Sequence, residues 1–333
     1  MSESGAKSVQ SYVSARGDRA ERLVPPQYRQ FLERRSIGAL LKRAGALLSR
    51  RLSRLLAPEG LTPNQWVVLA CLWRKDGLPV TYISEQVGQI GGTMTGVLDR
   101  MERRRLVKRK RDANDRRIYR VCLTELGKEL VNTLPPLAVE LWAGVKEDIS
   151  QADLARFSLL VDRVLANVSP EYKCVLPDCQ GKLSEELSAI LPPKSLGYRM
   201  RSLSMQLTRR FSEKLEALNV TTVHWLVLCR LWREDGVPVS EIASYIELEG
   251  GSLAGVLERM EDRGLISRRS CSEDKRRMLV FLTDEGDRLF DILPEIALNH
   301  CNLCIGGLSD EDVQFMTRVL TTLITNLTAR ESL

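Results

Sequence analysis

The sequence has very few histidines and none of the segments that usually identify an enzyme or a membrane protein. Its two histidines, His224 and His300, belong to no recognisable nucleophile or metal motif. No glycine loop of the P-loop or dinucleotide-binding type occurs. Apolar runs fall short of the roughly 18 residues of a membrane span, and the polar start MSESGAKSVQ lacks a signal-peptide core. We therefore expect a soluble, cytoplasmic protein that is not an enzyme and uses no cofactor.

Cysteine and net charge are also uninformative on their own. The eight cysteines form no regular framework, and most lie in apolar segments, which predicts reduced, buried thiols. Cys301 and Cys304 have C-x-x-C spacing, but a structural metal needs a second ligand pair, so we expect core residues and no metal. A redox switch is the alternative. The net charge of +6 is only mildly basic, so any nucleic-acid site depends on where the charge lies.

The dominant feature of the sequence is a repeat with a period of 159 residues. GGTMTGVLDRMERRRL (91–106) returns as GGSLAGVLERMEDRGL (250–265), and 29 of the 67 positions in 61–127 match their counterparts without a gap. Solenoid units are shorter, roughly 20–50 residues, whereas about 130 residues is one ordinary domain. We predict four segments: a mobile N-terminal tail over 1–30 with its last turn docked, copy 1 over 31–168, a linker over 169–194 with a short helix at 181–190, and copy 2 over 195–333.

Helical patterns occupy the first part of each copy. In copy 1, apolar residues recur at helical spacing over 36–57. Thr62-Pro63 is an N-cap followed by a first-turn proline, and it predicts a helix through Trp73. Pro79-Val80 begins a short third helix, and the Gly91-Gly92 turn leads into a fourth.

The pattern then changes from helix to hairpin. LVKRKRDANDRRIYRVCLT (106–124) contains two short runs of β-branched and apolar residues around a polar tip, which predicts a two-stranded wing. Thr124 caps a further helix, interrupted or bent at Pro135-Pro136, and Ser150 with Asp153 opens the last one. Helices followed by such a wing form a winged helix-turn-helix, whose recognition helix enters the DNA major groove.

GTMTGVLDRMERRRLVKRKRDANDRRIYRVCLTELG and GSLAGVLERMEDRGLISRRSCSEDKRRMLVFLTDEG both resemble the core signature of the MarR family of bacterial transcription regulators. The resemblance covers about 36–167 and 195–327. It implies a homodimeric regulator whose terminal helices form the dimer interface and whose winged helices bind a pseudo-palindromic operator. Many members of the family are released from DNA by small aromatic acids. The expected fold is mostly α with small β wings: two tandem winged helix-turn-helix domains, each flanked by long dimerisation-type helices. Because both copies share one chain, we expect a monomeric pseudo-dimer with internal pseudo-twofold symmetry, acting as a repressor on double-stranded DNA.

The two copies differ in charge where DNA contacts are expected. Residues 88–120 carry eleven Lys or Arg and four acids, whereas 247–279 carry seven of each. Met94 and Leu253 are expected on the buried side of their helices. The predicted DNA-binding residues are Gly92, Thr93, Thr95, Arg100, Arg103, Arg105, Lys108, Arg109, Arg111, Arg116 and Arg117 in copy 1, and Ser252, Arg259, Arg263, Arg268, Arg269, Lys275 and Arg276 in copy 2. Asp115 and Asp274 are expected to orient neighbouring arginines. The alternative for the basic run is a solvated face.

Tryptophan pairs lie seven residues apart on the second helix of each copy. Trp66 and Trp73, like Trp225 and Trp232, fit a helix core, and we also consider them as walls of a pocket for an aromatic effector.

Two classes of function remain open on this sequence. One is a DNA-binding regulator. The other is a protein-interaction or scaffold module in which copy 2 has lost DNA binding. Salt-dependent binding to duplex DNA separates them.

Overall fold

The structure is a computed structural model that describes residues 24–33, 35–88, 92–169, 195–246, 250–271 and 274–329; for Gly92, Thr93 and 250–252 it describes the backbone alone. The chain forms two compact units whose segments interleave. Unit 1 consists of Met1–Ser36 and Thr208–Leu303, and unit 2 of Ile37–Leu207 and Cys304–Leu333. The predicted linker helix at 181–190 and most of the predicted tail lie outside the described residues.

Copy 1 has the predicted order of helices and hairpin, preceded by one short helix where the last turn of the tail was expected to dock. Its elements are α1 (Pro26–Leu32), α2 (Ile37–Leu56), α3 (Pro63–Arg74), β1 (Leu78–Pro79), α4 (Val80–Val87), α5 (Gly92–Arg103), β2 (Val107–Arg111), β3 (Tyr119–Leu123), α6 (Glu125–Glu129), a 3-10 turn (Leu130–Asn132), α7 (Leu134–Val145) and α8 (Gln151–Val168).

Copy 2 repeats this order, which confirms the two winged helix-turn-helix domains and the mostly helical fold. Its elements are α9 (Leu196–Glu216), α10 (Thr222–Arg233), β4 (Val237–Pro238), α11 (Val239–Ile246), α12 (Gly250–Asp262), β5 (Ile266–Ser270), β6 (Met278–Leu282), α13 (Asp284–Arg288), a 3-10 turn (Leu289–Asp291), α14 (Leu293–Cys304) and α15 (Asp310–Ala329).

Local sequence explains several helix starts. Thr62 forms a capping box at the start of α3: its side chain accepts from the Gln65 backbone N–H at 3.4 Å, and the Gln65 side chain accepts from the Thr62 N–H at 2.9 Å. At the predicted interruption, the helix that Thr124 caps ends at Glu129, a 3-10 turn follows, and a new helix begins at Leu134. Pro135 lies in the first turn of α7, where a missing N–H leaves no hydrogen bond unmade.

Each wing is the outer part of a three-stranded antiparallel sheet, in the order β1-β3-β2 or β4-β6-β5. In copy 1 the hairpin register runs from Val107 opposite Leu123 to Arg111 opposite Tyr119. The third strand, Leu78–Pro79, is only two residues long and was missed from sequence. It ties the wing to the segment between α3 and α4 through its pairing with β3.

The core of unit 2 joins helices from both copies. Helix α15 of copy 2 packs along α2 and α8 of copy 1, and their apolar faces share one buried cluster that includes Leu41, Phe157, Val161, Met316 and Leu320.

Two asparagines at matching positions hold this core in the same way. The side-chain amide of Asn167 donates to the carbonyls of Cys304 at 3.1 Å and Gly306 at 2.8 Å. That of Asn326 donates to the carbonyls of Val145 at 3.1 Å and Glu147 at 2.7 Å. Donors and acceptors are all related by the 159-residue period, so the contact is reciprocal between the copies.

Unit 1 is held by an aromatic cluster around the winged helix of copy 2. The rings of Phe31 and Phe211 lie 6.4 and 5.7 Å from that of Trp225. The carbonyl of Leu32, at the end of α1, accepts a hydrogen bond from the Tyr245 hydroxyl at 3.0 Å. Helix α1, which precedes copy 1 in the sequence, therefore belongs to the unit that contains the winged helix of copy 2.

Candidate nucleic-acid interface

The recognition helix α5 has one buried and one exposed face. Met94, Val97, Leu98 and Met101 are almost completely buried, which confirms the predicted inward position of Met94. Thr95, Arg100 and Arg103 are exposed. In α12, Leu253 is likewise buried, and Ala254 and Arg259 occupy the exposed positions equivalent to Thr95 and Arg100.

A left-handed residue follows each recognition helix. Arg105 has φ +56° and the equivalent Gly264 has φ +66°. Glycine adopts this conformation without steric cost, whereas a residue with a Cβ is strained there by about 1–2 kcal/mol. Copy 1 therefore retains an exposed arginine at a position that favours glycine.

The motif Leu-Thr-x-x-Gly fixes the exit from the wing. The Thr124 hydroxyl hydrogen-bonds the Arg105 carbonyl and accepts from the Gly127 N–H at 3.2 Å, capping α6. A Cβ at Gly127 would lie 2.1 Å from the Leu106 carbonyl oxygen, so only glycine allows this approach. Gly286 has the same restriction in copy 2.

An ion pair joins the wing to the recognition helix. The Glu102 carboxylate accepts from the backbone N–H of Arg109 at 2.6 Å and from its Nε at 2.9 Å, and the guanidinium also binds Asp99. These partners raise the pKa of Arg109, chiefly through the hydrogen bond with Glu102. In copy 2, Glu261 accepts from the N–H and Nε of Arg268 at 2.9 and 2.8 Å, and this lowers the pKa of Glu261.

A buried aspartate organises the wing tip of copy 1. Asp112 accepts from the backbone N–H groups of Asn114 at 2.8 Å and Asp115 at 3.1 Å, and it binds the guanidinium of Arg120. The hydrogen bond from Arg120, followed by those from the backbone, lowers the pKa of Asp112 to about 2. Arg120 also donates to the Gly77 carbonyl at 2.9 Å, so the tip is anchored to the segment before β1.

The wing tip of copy 2 lacks this organisation. The residue equivalent to Asp112 is Cys271, and that equivalent to Arg120 is Leu279. Asp274 still accepts from the Arg276 N–H at 3.0 Å, as Asp115 does from the Arg117 N–H at 3.0 Å. Both aspartates therefore contact the arginines that they were predicted to orient.

The predicted DNA-binding residues divide into exposed and partly buried groups. Gly92, Thr93 and Ser252 lie in the first turns of α5 and α12, and the side chains of Thr93 and Ser252 lie outside the described part of the chain. The exposed members are Thr95, Arg100, Arg103, Arg105, Lys108, Arg111, Arg116, Arg117, Arg259, Arg269, Lys275 and Arg276. Partly buried are Arg109, Arg268 and Arg263, the last of which donates to the carbonyls of Asn219 and Leu218.

Several exposed side chains of copy 1 lie on the wing or at the end of α5. Arg111 extends over the ring of Tyr119, with its Cζ 5.8 Å from the ring centroid, and its Nε donates to the Tyr119 hydroxyl at 3.3 Å. Arg105, Lys108 and Arg116 are also exposed there. Contact of these residues with DNA remains a prediction.

The tryptophans of copy 1 lie in the core, and one also borders a cavity. Trp66 and Trp73 are buried edge to face, with ring centroids 5.7 Å apart, and the Trp73 Nε1–H donates to the Gly127 carbonyl at 2.9 Å. Trp66 lines a cavity of about 110 Å³ within unit 2, bordered by α2, α3, α7 and the start of α9. Trp73 is not among the described residues that line it.

In copy 2, Trp225 is buried and Trp232 partly buried, with ring centroids 5.9 Å apart. Trp232 also packs edge to face on Phe290 at 5.2 Å. Both tryptophans are therefore part of an aromatic core, and their role as pocket walls remains a prediction.

The C-x-x-C pair lies in α14. Cys304 is buried in the core of unit 2, and burial raises the pKa of the Cys301 thiol to about 11. Within the described ranges, no three His, Cys, Asp or Glu side chains come together as a metal site. No helix in those ranges combines the length and apolarity needed to cross a membrane.

Three acids organise this surface, and none of them was predicted to do so from the sequence. Asp99, Glu102 and Asp112 were counted only as negative charge, although each holds an arginine in place. One signal was available for Glu102: Glu261 and Arg268 repeat Glu102 and Arg109 at the 159-residue period.

The chain is similar in sequence to known proteins of one family. The MarR family profile matches residues 61–119 and 220–278. The organic hydroperoxide resistance transcriptional regulator of Bacillus subtilis (strain 168) is 31% identical over 134 residues, which cover 40% of this chain and 88% of that protein. The HTH-type transcriptional regulator TtmR of Methylorubrum extorquens (strain PA1) is 37% identical over 89 residues, covering 26% of this chain and 46% of that protein.

One solved structure, the S. aureus MepR–DNA complex, has 25% identity and a TM-score of 0.37, and the match covers 39% of this chain and 97% of that one. The family profile occurs twice, and the described elements repeat in the same order in both places. Members of this family are DNA-binding transcription regulators rather than enzymes. The chain belongs to the MarR family, and it contains two tandem copies of the family's winged helix-turn-helix domain.

Proposed function

We propose that this protein is a repressor that binds an operator in duplex DNA as a single-chain pseudo-dimer and is released by a small aromatic carboxylate. Copy 1 (31–168) and copy 2 (195–333) take the places of two protomers. The reciprocal hydrogen bonds of Asn167 and Asn326 support this, because a twofold interface repeats each contact with donor and acceptor exchanged.

The observation that carries the DNA-binding proposal is the exposed basic surface of copy 1. Arg100 and Arg103 lie on the exposed side of the recognition helix, and Lys108, Arg111 and Arg116 lie on the wing. A recognition helix contacts base edges while the wing contacts phosphates, so both surfaces carry the charge that their roles require. The equivalent surface of copy 2 includes Asp262 in place of Arg103.

The unequal charge of the two copies predicts that they bind the two half-sites of the operator unequally. Copy 1 would provide most of the phosphate contacts, and copy 2 would add register and specificity. In the alternative, the protein is an interaction or scaffold module in which copy 2 has lost DNA binding and docks a partner. The repressor role and the aromatic effector rest on the resemblance to the family, and the cavity beside Trp66 supports the effector.

The direct test is binding of the full chain to DNA taken from upstream of its own gene. Fluorescence anisotropy across a range of salt concentrations should give a negative log–log slope, and nuclease footprinting should protect two adjacent half-sites, one more strongly. Protection of a single half-site would favour the interaction-module alternative for copy 2. Binding without salt dependence would contradict the proposal, because phosphate neutralisation releases counterions.

A further inference from the structure

Helix α1 covers part of the winged helix of copy 2 with its aromatic side chains. Phe31 and Leu32, its last two residues, are 8% and 3% exposed. The ring of Phe31 meets that of Trp225 edge to face at 6.4 Å, and the ring of Tyr28 meets that of Phe290 in the same way at 6.5 Å. These contacts bury apolar surface on both sides, so α1 is docked on copy 2 through specific side chains.

The C-terminal end of α1 is bonded to both helices that precede the recognition helix of copy 2. The Leu32 carbonyl accepts from the Tyr245 hydroxyl at 3.0 Å and from Nη1 of Arg233 at 3.4 Å. The last carbonyls of a helix have no partner within it and lie at the negative end of its dipole, so a hydroxyl and a cation are suitable donors. Arg233 is the last residue of α10, and Tyr245 lies in the last turn of α11. One carbonyl thus links the ends of α10 and α11.

Helices α10 and α11 support the recognition helix of copy 2. Helix α12 packs on both of them, and Ile242, Ile246, Leu253 and Leu257 belong to one buried cluster. Helix α11 ends at Ile246, and α12 begins at Gly250. Because closely packed elements shift together, a contact that fixes the end of α11 restricts where α12 can lie.

The matching turn of copy 1 is held by a different element. By the 159-residue period, Tyr245 corresponds to Gln86 in the last turn of α4. The side chain of Gln86 hydrogen-bonds the hydroxyl of Tyr198, which belongs to α9. Tyr198 in turn corresponds to Ala39, which has no hydroxyl. Copy 2 thus has a contact with α1 at the turn where copy 1 has a contact with α9.

We propose that α1 is a positioning element for DNA binding by copy 2: Phe31 docks it, and the Leu32 carbonyl holds Tyr245 and, through α11, the recognition helix. This inference rests on the DNA binding by both copies proposed above. Residues 247–279 carry seven basic residues and seven acids, so copy 2 has no excess of charge to compensate for a displaced helix. Undocking α1 therefore releases the half-site of copy 2 and leaves that of copy 1 bound.

Nuclease footprinting and anisotropy of the full chain, on DNA from upstream of its own gene, test this. Phe31→Asp should undock α1, because it places a carboxylate in a buried aromatic contact, and should remove protection of one half-site only. Tyr245→Phe keeps the ring and loses the hydroxyl. It should weaken protection of the same half-site and lower the affinity by about 2–10-fold, the effect of one lost hydrogen bond.

Two further variants are matched controls. Tyr198→Phe removes the hydroxyl that holds the equivalent turn of copy 1, so it should weaken protection of the other half-site. Gln27→Ala changes an exposed residue of α1 and should leave both half-sites protected as in the wild type.

A double-mutant cycle separates positioning from stability. In a chain that already carries Arg269→Ala with Lys275→Ala, Phe31→Asp should cause a much smaller further loss of affinity, because both changes act on the contacts of copy 2. A variant that only lowered the fraction of folded chain would weaken binding by the same factor in both backgrounds. Thermal melting of each variant measures that fraction directly.

Equal losses at the two half-sites in Phe31→Asp, or losses that add fully in the cycle, would overturn this inference and leave DNA binding intact. If the wild-type chain protects a single half-site, copy 2 has no DNA contact to position, and the inference fails while salt-dependent binding by copy 1 stands. If the wild-type chain shows no salt-dependent binding at all, the proposed function itself fails, and this inference fails with it.

Discussion

The Glu102 carboxylate at the end of the recognition helix binds both the backbone and the side chain of Arg109 in the first wing strand. Glu261 and Arg268 form the same arrangement in copy 2. In each copy the acid fixes where the wing leaves the helix. An arginine that was predicted to contact DNA is thus held within the protein, and the acid that looked unfavourable for DNA binding has a positioning role.

Replacing Glu102 shows whether this acid acts on DNA binding by positioning the wing or only by its negative charge. Glu102→Gln removes a negative charge near the DNA surface, so electrostatics alone predicts tighter binding. Because the wing loses charge-assisted hydrogen bonds, we expect weaker binding instead, by about fivefold or more. Anisotropy at constant salt measures the change, and Glu261→Gln is the matched variant in copy 2, with a smaller expected effect. Tighter binding by Glu102→Gln would show that the ion pair has no positioning role.

The salt dependence of binding measures how unequally the two copies contact DNA. Arg111→Ala with Arg116→Ala should weaken binding and flatten the log–log salt slope by about 2 units, close to one per lost phosphate contact. Arg268→Ala with Lys275→Ala should change the slope less. Since Arg268 is bonded to Glu261, Arg269→Ala with Lys275→Ala is the cleaner comparison. Equal slopes in the copy 1 and copy 2 variants, with a symmetric footprint, would mean that the charge asymmetry has no functional consequence.

Sequence periodicity predicted the elements of this fold because each depends on local signals. The capping residue Thr62, the helical spacing of Met94 and Met101, and the alternation in the wing are all readable along the chain. The two-residue strand Leu78–Pro79 was missed because its only partner lies about 40 residues further along the chain, in β3.

The site was less predictable because its charges interact across elements. Counting charge identified the exposed Lys108 and Arg111, but it could not separate them from Arg109, whose partner Glu102 is on another element. Arg201 of helix α9 lines the cavity that Trp66 borders. It was not predicted there, because it belongs to copy 2 whereas most of the lining residues belong to copy 1. Such a residue is found only once the interleaved packing is known.

Replacing the left-handed Arg105 should affect the free energy of unfolding and the affinity for DNA in opposite directions. Arg105→Gly should raise the free energy of unfolding by about 1 kcal/mol by relieving the strain of φ +56°. It should also weaken DNA binding, because an exposed cation at the end of the helix is lost. Urea denaturation and anisotropy measure the two effects. Gly264→Arg is the reverse variant in copy 2 and should lower stability by a similar amount; if it does not, the strain is absent.

Assembly follows from the interleaved helices. Because α15 of copy 2 already packs on α2 and α8 of copy 1, the chain should need no second copy to cover these apolar faces. We expect light scattering to give the mass of a single chain, 37.6 kDa, at micromolar concentration. An obligate dimer at sub-micromolar concentration, with no monomer, would contradict the single-chain pseudo-dimer.

His224 should make copy 2 sensitive to acid. It occupies the place of Gln65 in the capping box: its Nδ1 accepts from the Thr221 backbone N–H at 3.3 Å, which requires the neutral ring. Burial, followed by the charges of Arg263 and Arg259, lowers the pKa of His224 to about 4, against about 6.5 in an unfolded chain. The unfolded state therefore takes up the proton first as the pH falls. Stability is complete above about pH 6.5 and declines as the pH falls towards 4.

The matched variant is His224→Gln, because glutamine forms this capping box in copy 1. At pH 7.5 it should have the same free energy of unfolding as the wild type. At pH 5 its free energy of unfolding should exceed that of the wild type by only about 1 kcal/mol, because solvent screens part of the interaction that lowers the pKa of His224. Gln65→His should transfer the acid sensitivity to copy 1. Urea denaturation at the two pH values, followed by tryptophan fluorescence, measures both changes. If His224→Gln and the wild type lose stability in parallel between pH 7.5 and 5, the neutral, buried state of His224 is not what makes copy 2 sensitive to acid.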